Sequence, residues 1–224
     1  MTRYDKLRRR LLAVELLRRF KAKYPYRRLS EVTGIPSSML CRYVKGQSVP
    51  SLEQAEAIIR YLAGLIDELV PPARVLDKYL LASDLLLLEL LVLKTRVELR
   101  GLHVDKVLAR EGLALTAASL AAHELEAELV IASSEPCTAP KDCITEMVSF
   151  TPLNRVTLYI PRNTIRRNDN VLIVDVFFED PSLLEALCRL VARAGGRVVG
   201  AAAVVSLGDR KRYENAVPRF IILG

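Results

Sequence analysis

Apolar positions recur at helical spacing through the first third of the chain. Leu7, Leu11, Val14, Leu17 and Phe20 mark a long amphipathic helix over residues 1–24. Tyr24-Pro25-Tyr26 ends it, because a residue that precedes proline is pushed out of the helical region. Leu29–Thr33 then reads as a short helix, Gly34-Ile35-Pro36 as a tight turn and Ser37–Lys45 as a second helix. Gly34 supplies the positive φ that such a turn needs, and Leu40 and Tyr43 form the inward stripe. Ser37 is the expected N-cap and Gly46 the expected stop. A further helix over Leu52–Leu69 carries Ala55, Ile58, Ile59, Leu62, Leu65 and Ile66 on one face. Pro71-Pro72 closes it and places a domain boundary there, giving domains 1–72 and 73–224.

Beyond the prolines the period changes. Asp77–Arg100 is expected to be mostly helical, with Ser83-Asp84 as a cap before the leucine-rich Leu85–Leu93. Strand candidates follow at Val104–Leu108, Leu129–Ser133, Arg155–Ile160, Val171–Phe177 and Arg197–Leu207. A helix to about Glu126 and another over Ser182–Ala194 separate some of them. Strand, helix and strand at these spacings predict an α/β fold: an all-α first domain, then a doubly wound parallel sheet with its loops at the strands' carboxyl ends.

Charge sharpens the division. The net charge is +7, and residues 1–70 carry 14 Lys and Arg against 7 Asp and Glu, whereas residues 71–224 carry 19 of each. The whole surplus therefore belongs to the first domain, where phosphate neutralisation would be needed for nucleic-acid binding. Leu85–Leu93 is too short to span a bilayer and contains Glu89, so no membrane segment is expected. The charged start lacks the apolar core of a signal peptide, and the expected location is cytoplasmic. His103 and His123 stand apart without ligands at metal spacing, so neither metal nor cofactor is expected. Cys137 and Cys143 are read as two separate thiols, with a disulfide as the alternative.

The stretch LSEVTGIPSSMLCRYVKGQSVPSLEQA resembles the repressor-type helix-turn-helix. That resemblance implies double-stranded DNA as a partner, with the second helix in the major groove. The contacts expected are Ser37, Ser38, Cys41, Arg42 and Lys45 on the outward face, Gln47 and Ser48 in the exit loop, and Tyr26, Arg27 and Arg28 before the turn.

Two further stretches, VDKVLAREGLALTAASLAAHELEAELVIAS and VTLYIPRNTIRRNDNVLIVDVFFEDPSLLEALCRLVARAGGRVVGAAAVV, resemble type I phosphoribosyltransferases. In that family two acids at a strand end hold the ribose hydroxyls of the diphosphate sugar (PRPP), and a glycine turn offers N–H groups to its 5′-phosphate. Here Asp175 matches the first acid and Val176 replaces the second. Glu179-Asp180-Pro181-Ser182 replaces the glycine turn, while Glu111-Gly112 keeps the earlier loop glycine. Ser133-Ser134 stands where a basic residue is expected, and the mobile catalytic loop, expected within Glu135–Thr151, has Lys141 as its base.

Both parts together resemble archaeal phosphoribosyltransferase-like transcription regulators. The implied function is a homodimeric, sequence-specific DNA-binding regulator whose second domain is non-catalytic, a dimeriser or sensor of a nucleotide or nucleobase effector. The alternative is an active phosphoribosyltransferase of nucleotide salvage with an autoregulatory DNA-binding domain.

Overall fold

The computed structural model describes residues 3–65, 77–138, 142–150 and 154–223, and the chain divides into two compact units, Met1–Leu69 and Val70–Gly224. The prolines expected at the boundary, the last turn of the Leu52–Leu69 helix and Lys141 lie outside the described residues.

Among its described residues the first unit holds four helices: α1 (Arg3–Lys23), α2 (Tyr26–Thr33), α3 (Ser37–Val44) and α4 (Leu52–Ala63). Leu16, Leu17, Phe20, Leu29, Leu40, Ile58 and Leu62 form its core. The stripe expected on α1 is displaced in its first turns: Leu7 and Leu11 are exposed, and Leu12, Ala13 and Leu16 are buried instead. α2 begins three residues earlier than its periodicity suggests, directly after Pro25. Gly34 takes φ +69°, and its N–H donates to the Ser30 carbonyl. Ser37 is not the cap of α3. Pro36 holds that position, and the Ser37 hydroxyl donates to the Tyr26 carbonyl at 3.2 Å, tying the two helices together.

Arginines of α1 brace the α3–α4 connection. Arg18 Nε donates to the Val44 carbonyl at 3.0 Å and Arg10 Nε to the Pro50 carbonyl at 2.6 Å, while Arg9 pairs with Glu56. α4 opens with a capping box, in which Ser51 Oγ accepts from the Gln54 N–H and the Gln54 side chain accepts from the Ser51 N–H. The Tyr43 hydroxyl donates to that same Gln54 oxygen, so the buried stripe of α3 and the cap of α4 are one assembly.

The second unit is built on a five-stranded, all-parallel sheet in the order β2-β1-β5-β7-β9. Its strands are β1 (Lys106–Arg110), β2 (Glu128–Ala132), β5 (Asn170–Val174), β7 (Arg197–Ala203) and β9 (Phe220–Ile222). α5 (Lys78–Ser83) and α6 (Leu85–Glu98) precede β1, α7 (Ala114–Leu125) joins β1 to β2, and α8 (Pro181–Ala194) lies between β5 and β7. Val107, Leu108 and Ala109 are all buried, because helices cover the sheet on both faces.

Four sequence expectations are corrected by the structure. The Arg155–Ile160 segment is not in the main sheet: β4 (Arg155–Pro161) pairs antiparallel with β3 (Cys143–Ser149), which the pattern did not announce. Val171–Phe177 and Arg197–Leu207 each break in two, leaving a small parallel ribbon of β6 (Phe177–Phe178) with β8 (Val205–Ser206). α9 (Arg210–Ala216) and β9 complete the unit beyond the last predicted element. Cys137 and Cys143 form a disulfide rather than two separate thiols, tying Cys137 to the first residue of β3.

Candidate active site

β1 and β5 are neighbours, yet the chain leaves β1 toward β2 on one side and leaves β5 toward β7 on the other. Loops at the carboxyl ends of such a pair diverge and leave a crevice. A cavity of 250 Å³ lies there. Arg110 to Ala114 line it from the end of β1 onward, Asp175 to Phe177 with Glu179, Asp180 and Leu183 after β5, and Lys78, Tyr79 and Phe150 complete it.

Asp175 directly follows β5 and is almost fully buried. Its Oδ1 accepts the N–H groups of Val176 at 2.7 Å and Phe177 at 3.3 Å. Burial nevertheless pushes its carboxyl up to about 6, against those two donors and nearby Arg110. Val176, in place of a second acid, is buried in the core. Asp180, not Ser182, caps α8: its Oδ1 accepts the Ser182 N–H at 2.7 Å, and Pro181 takes the first helical position. Hydrogen bonding from Ser182 holds the Asp180 carboxyl below the usual range. Glu179 is exposed and pairs with Lys78 at 3.3 Å.

Across the cavity, Gly112 takes φ +98°, with nothing within 4 Å of where a Cβ would sit. A side chain is strained there whatever the space, so glycine leaves the backbone open to a ligand. Ser133 and Ser134, in place of the expected base, serve Glu111 instead. Ser133 Oγ donates to Glu111 Oε2 at 2.5 Å, the Ser134 N–H donates to Oε1 at 2.7 Å, and the Ser134 hydroxyl donates to Oε1 as well. These donors hold the Glu111 carboxyl below its ordinary value.

The described part of the expected catalytic-loop region includes a strand. β3 runs through it, and burial raises the Glu146 carboxyl while Arg189 and Arg193 of α8 outweigh that effect and hold it low. Sequence reasoning missed Lys78, Tyr79, Arg110, Phe150 and Phe177. Arg110 alone had a local signal, standing directly before Glu111-Gly112.

In the first unit, Ser38, Arg42 and Lys45 are exposed on one face of α3 and its C-terminal end, and Gln47 is exposed just beyond. Tyr26, Ser37, Cys41 and Ser48 are half-buried. Burial, then a hydrogen bond with Cys41, raises the Tyr26 phenol, so Tyr26, Ser37 and Cys41 are engaged within the unit. Arg27 lies 3.3 Å and Arg28 4.0 Å from Glu31, sharing its carboxylate.

No family model matches the chain. Among curated proteins, the xanthine phosphoribosyltransferase of Heliobacterium modesticaldum is 28% identical over 106 residues, 47% of this chain and 56% of that protein. That of Geobacillus thermodenitrificans is 31% identical over 102 residues, 45% of this chain and 53% of that protein. The chain thus spans little more than half the length of these relatives. Among solved structures, the adenine phosphoribosyltransferase of Rhodothermus marinus superposes with a TM-score of 0.58 at 26% identity, covering 68% of this chain and 88% of that one. The adenine phosphoribosyltransferase of Thermoanaerobacter pseudethanolicus, at 19% identity and a TM-score of 0.55, shares the fold over 64% of this chain and 83% of its own. The second unit has the type I phosphoribosyltransferase fold, with its parallel central sheet.

These relatives overturn the expectation of a non-catalytic transcription regulator. The matched proteins are named as transferases, and the chain's affinities point to an enzyme. The contrary expectation weighed the altered turn, the missing second acid and the serines in place of a base. It could not weigh the cavity, which the fold retains at the strand ends.

Proposed function

We propose that the second unit is a purine phosphoribosyltransferase, with a 6-oxopurine as its first candidate base. In that reaction a ring nitrogen of the base attacks C1 of the ribosyl diphosphate, the C1–O bond breaks, and pyrophosphate leaves with the bonding electrons. Asp175 is the acceptor for a ribose hydroxyl, and the open backbone at Gly112 faces the diphosphate. The observation that carries this reading is the cavity at the carboxyl ends of β1 and β5, floored by Asp175 and flanked by Gly112, in a unit that covers most of a solved adenine phosphoribosyltransferase. Incubating the full chain with PRPP, Mg²⁺ and xanthine, guanine, hypoxanthine or adenine in turn tests it. Nucleotide and pyrophosphate are expected in equal amounts, and Asp175→Asn should lower kcat/KM by about a hundredfold or more. Absence of nucleotide with every base overturns the reading.

The first unit supports a separate proposal, a helix-turn-helix that binds double-stranded DNA. Its support is one surface: Ser38, Arg42 and Lys45 lie exposed at spacings of four and three residues, opposite buried Leu40 and Tyr43, in the part of the chain that holds the net positive charge. Arg42→Ala should cost about 1–3 kcal/mol and relax base preference at one position, whereas Lys45→Ala should weaken all sequences alike and flatten the salt dependence. Binding-site selection followed by titration at several salt concentrations reads both effects. Unchanged affinity and preference in Arg42→Ala would remove α3 from the interface.

A further inference from the structure

A site that handles a ribosyl diphosphate must neutralise it, and the positions expected to do so carry serines and acids here. Four carboxylates line the cavity. Three of them have hydrogen-bond donors of their own: Ser133 and Ser134 on Glu111, two backbone N–H groups on Asp175, and the Ser182 N–H on Asp180. Glu179 has a different kind of partner, the Lys78 ammonium at 3.3 Å.

Among the described residues that line the cavity, the cations are Lys78 and Arg110. Arg110 already lies in the fields of Asp175 and Glu111. Lys78 stands on the first turn of α5, with 46% of its side chain exposed and its partner Glu179 61% exposed. Ion pairs as open to water as this one are weak and screened by salt. A diphosphate offers more negative charge and more acceptor oxygens than one carboxylate, so it competes successfully for the same ammonium.

We infer that Lys78 is a phosphate-binding residue of this site: its ammonium exchanges Glu179 for the diphosphate of the ribosyl donor. The inference rests on the transferase reading and deepens it. Lys78 does for the donor what the strand end after β2 cannot do, because its serines are committed to Glu111. Glu179 then acts as a gate of the opposite sign, holding the ammonium at the cavity until a stronger anion arrives. The base, which carries no phosphate, is indifferent to the exchange.

The test separates this inference from the reaction itself. Full-length wild type, Lys78→Ala, Lys78→Arg and Glu179→Gln are titrated with magnesium pyrophosphate by calorimetry, and donor and base KM are measured separately. Lys78→Ala should weaken pyrophosphate binding about tenfold and raise the donor KM by a similar factor, with the base KM unchanged. Lys78→Arg should restore most of the loss, and Glu179→Gln should tighten pyrophosphate binding by freeing the ammonium. Lys78 is exposed, so matching melting curves for wild type and Lys78→Ala are expected and exclude loss of fold as the cause. Pyrophosphate that binds Lys78→Ala as well as wild type, or that does not bind wild type at all, overturns the inference. Lys78-dependent binding without nucleotide formation overturns the transferase reading and leaves the inference standing.

Discussion

Asp175 is an acid held where its charge is costly. Its carboxyl is nearly enclosed and titrates at about 6 instead of the ordinary 3.8, chiefly through burial. A carboxyl raised on folding contributes stability that is complete below its unfolded value and is lost as pH rises through the folded one. The window is therefore about pH 4 to 6. The loss across it is roughly 3 kcal/mol, since each tenfold change in proton affinity is worth about 1.4 kcal/mol. Asp175→Asn keeps an oxygen for the Val176 and Phe177 donors while removing the charge. The variant should gain stability relative to wild type as pH rises from 4 to 7, even as it loses the proposed transferase activity. Urea denaturation of both proteins at several pH values measures this, and a pH-independent difference would contradict it. The same residue ties the proposed function to structure: a ribose acceptor is most useful ionised, which is the form the fold tolerates least. Glu111 is the opposite case, since its serine donors favour the anion and hold it in place.

At the scale of elements, the turn between α2 and α3 is specified by one residue. Gly34 adopts φ +69° with no atom within 4 Å of a Cβ position, so the demand is on the backbone alone. Gly34→Ala should cost about 1–2 kcal/mol for the left-handed conformation, with no steric addition. Gly34→Asn should cost less, because asparagine tolerates that region. Thermal denaturation of the three proteins checks the order, and equal stabilities would mean that the turn relaxes into another conformation. The turn, the Leu40–Tyr43 stripe and the start of α4 were all legible, because each depends on residues within one or two turns of chain. The cap of α8 depends on more than its neighbouring residues. Both Asp180 and Ser182 are good caps, and only the path of the chain out of β6 decides that Asp180 holds that position.

For the whole molecule, local pattern determined a great deal: a basic helical first part, an α/β second part, four of the five sheet strands starting within two residues of their place, and the two loops that meet at the cavity. Helical and strand periods and turn chemistry are short-range, and they survive without knowledge of partners. The antiparallel β3–β4 pairing, the splitting of two long strands, and β9 at the sheet edge were decided by tertiary structure. Whether a β-branched run joins a central sheet or a separate hairpin depends on which neighbour can satisfy its backbone. The same holds for the candidate site. Asp175 and Gly112 were legible as family positions, but the serines that hold Glu111 lie more than twenty residues away from it, and Lys78 reaches Glu179 across 101 residues. No spacing rule links such positions. Their charges meet because parallel strands bring several loops to one end of the sheet, and it is there that a turn which looked only hostile to phosphate acquires a cation.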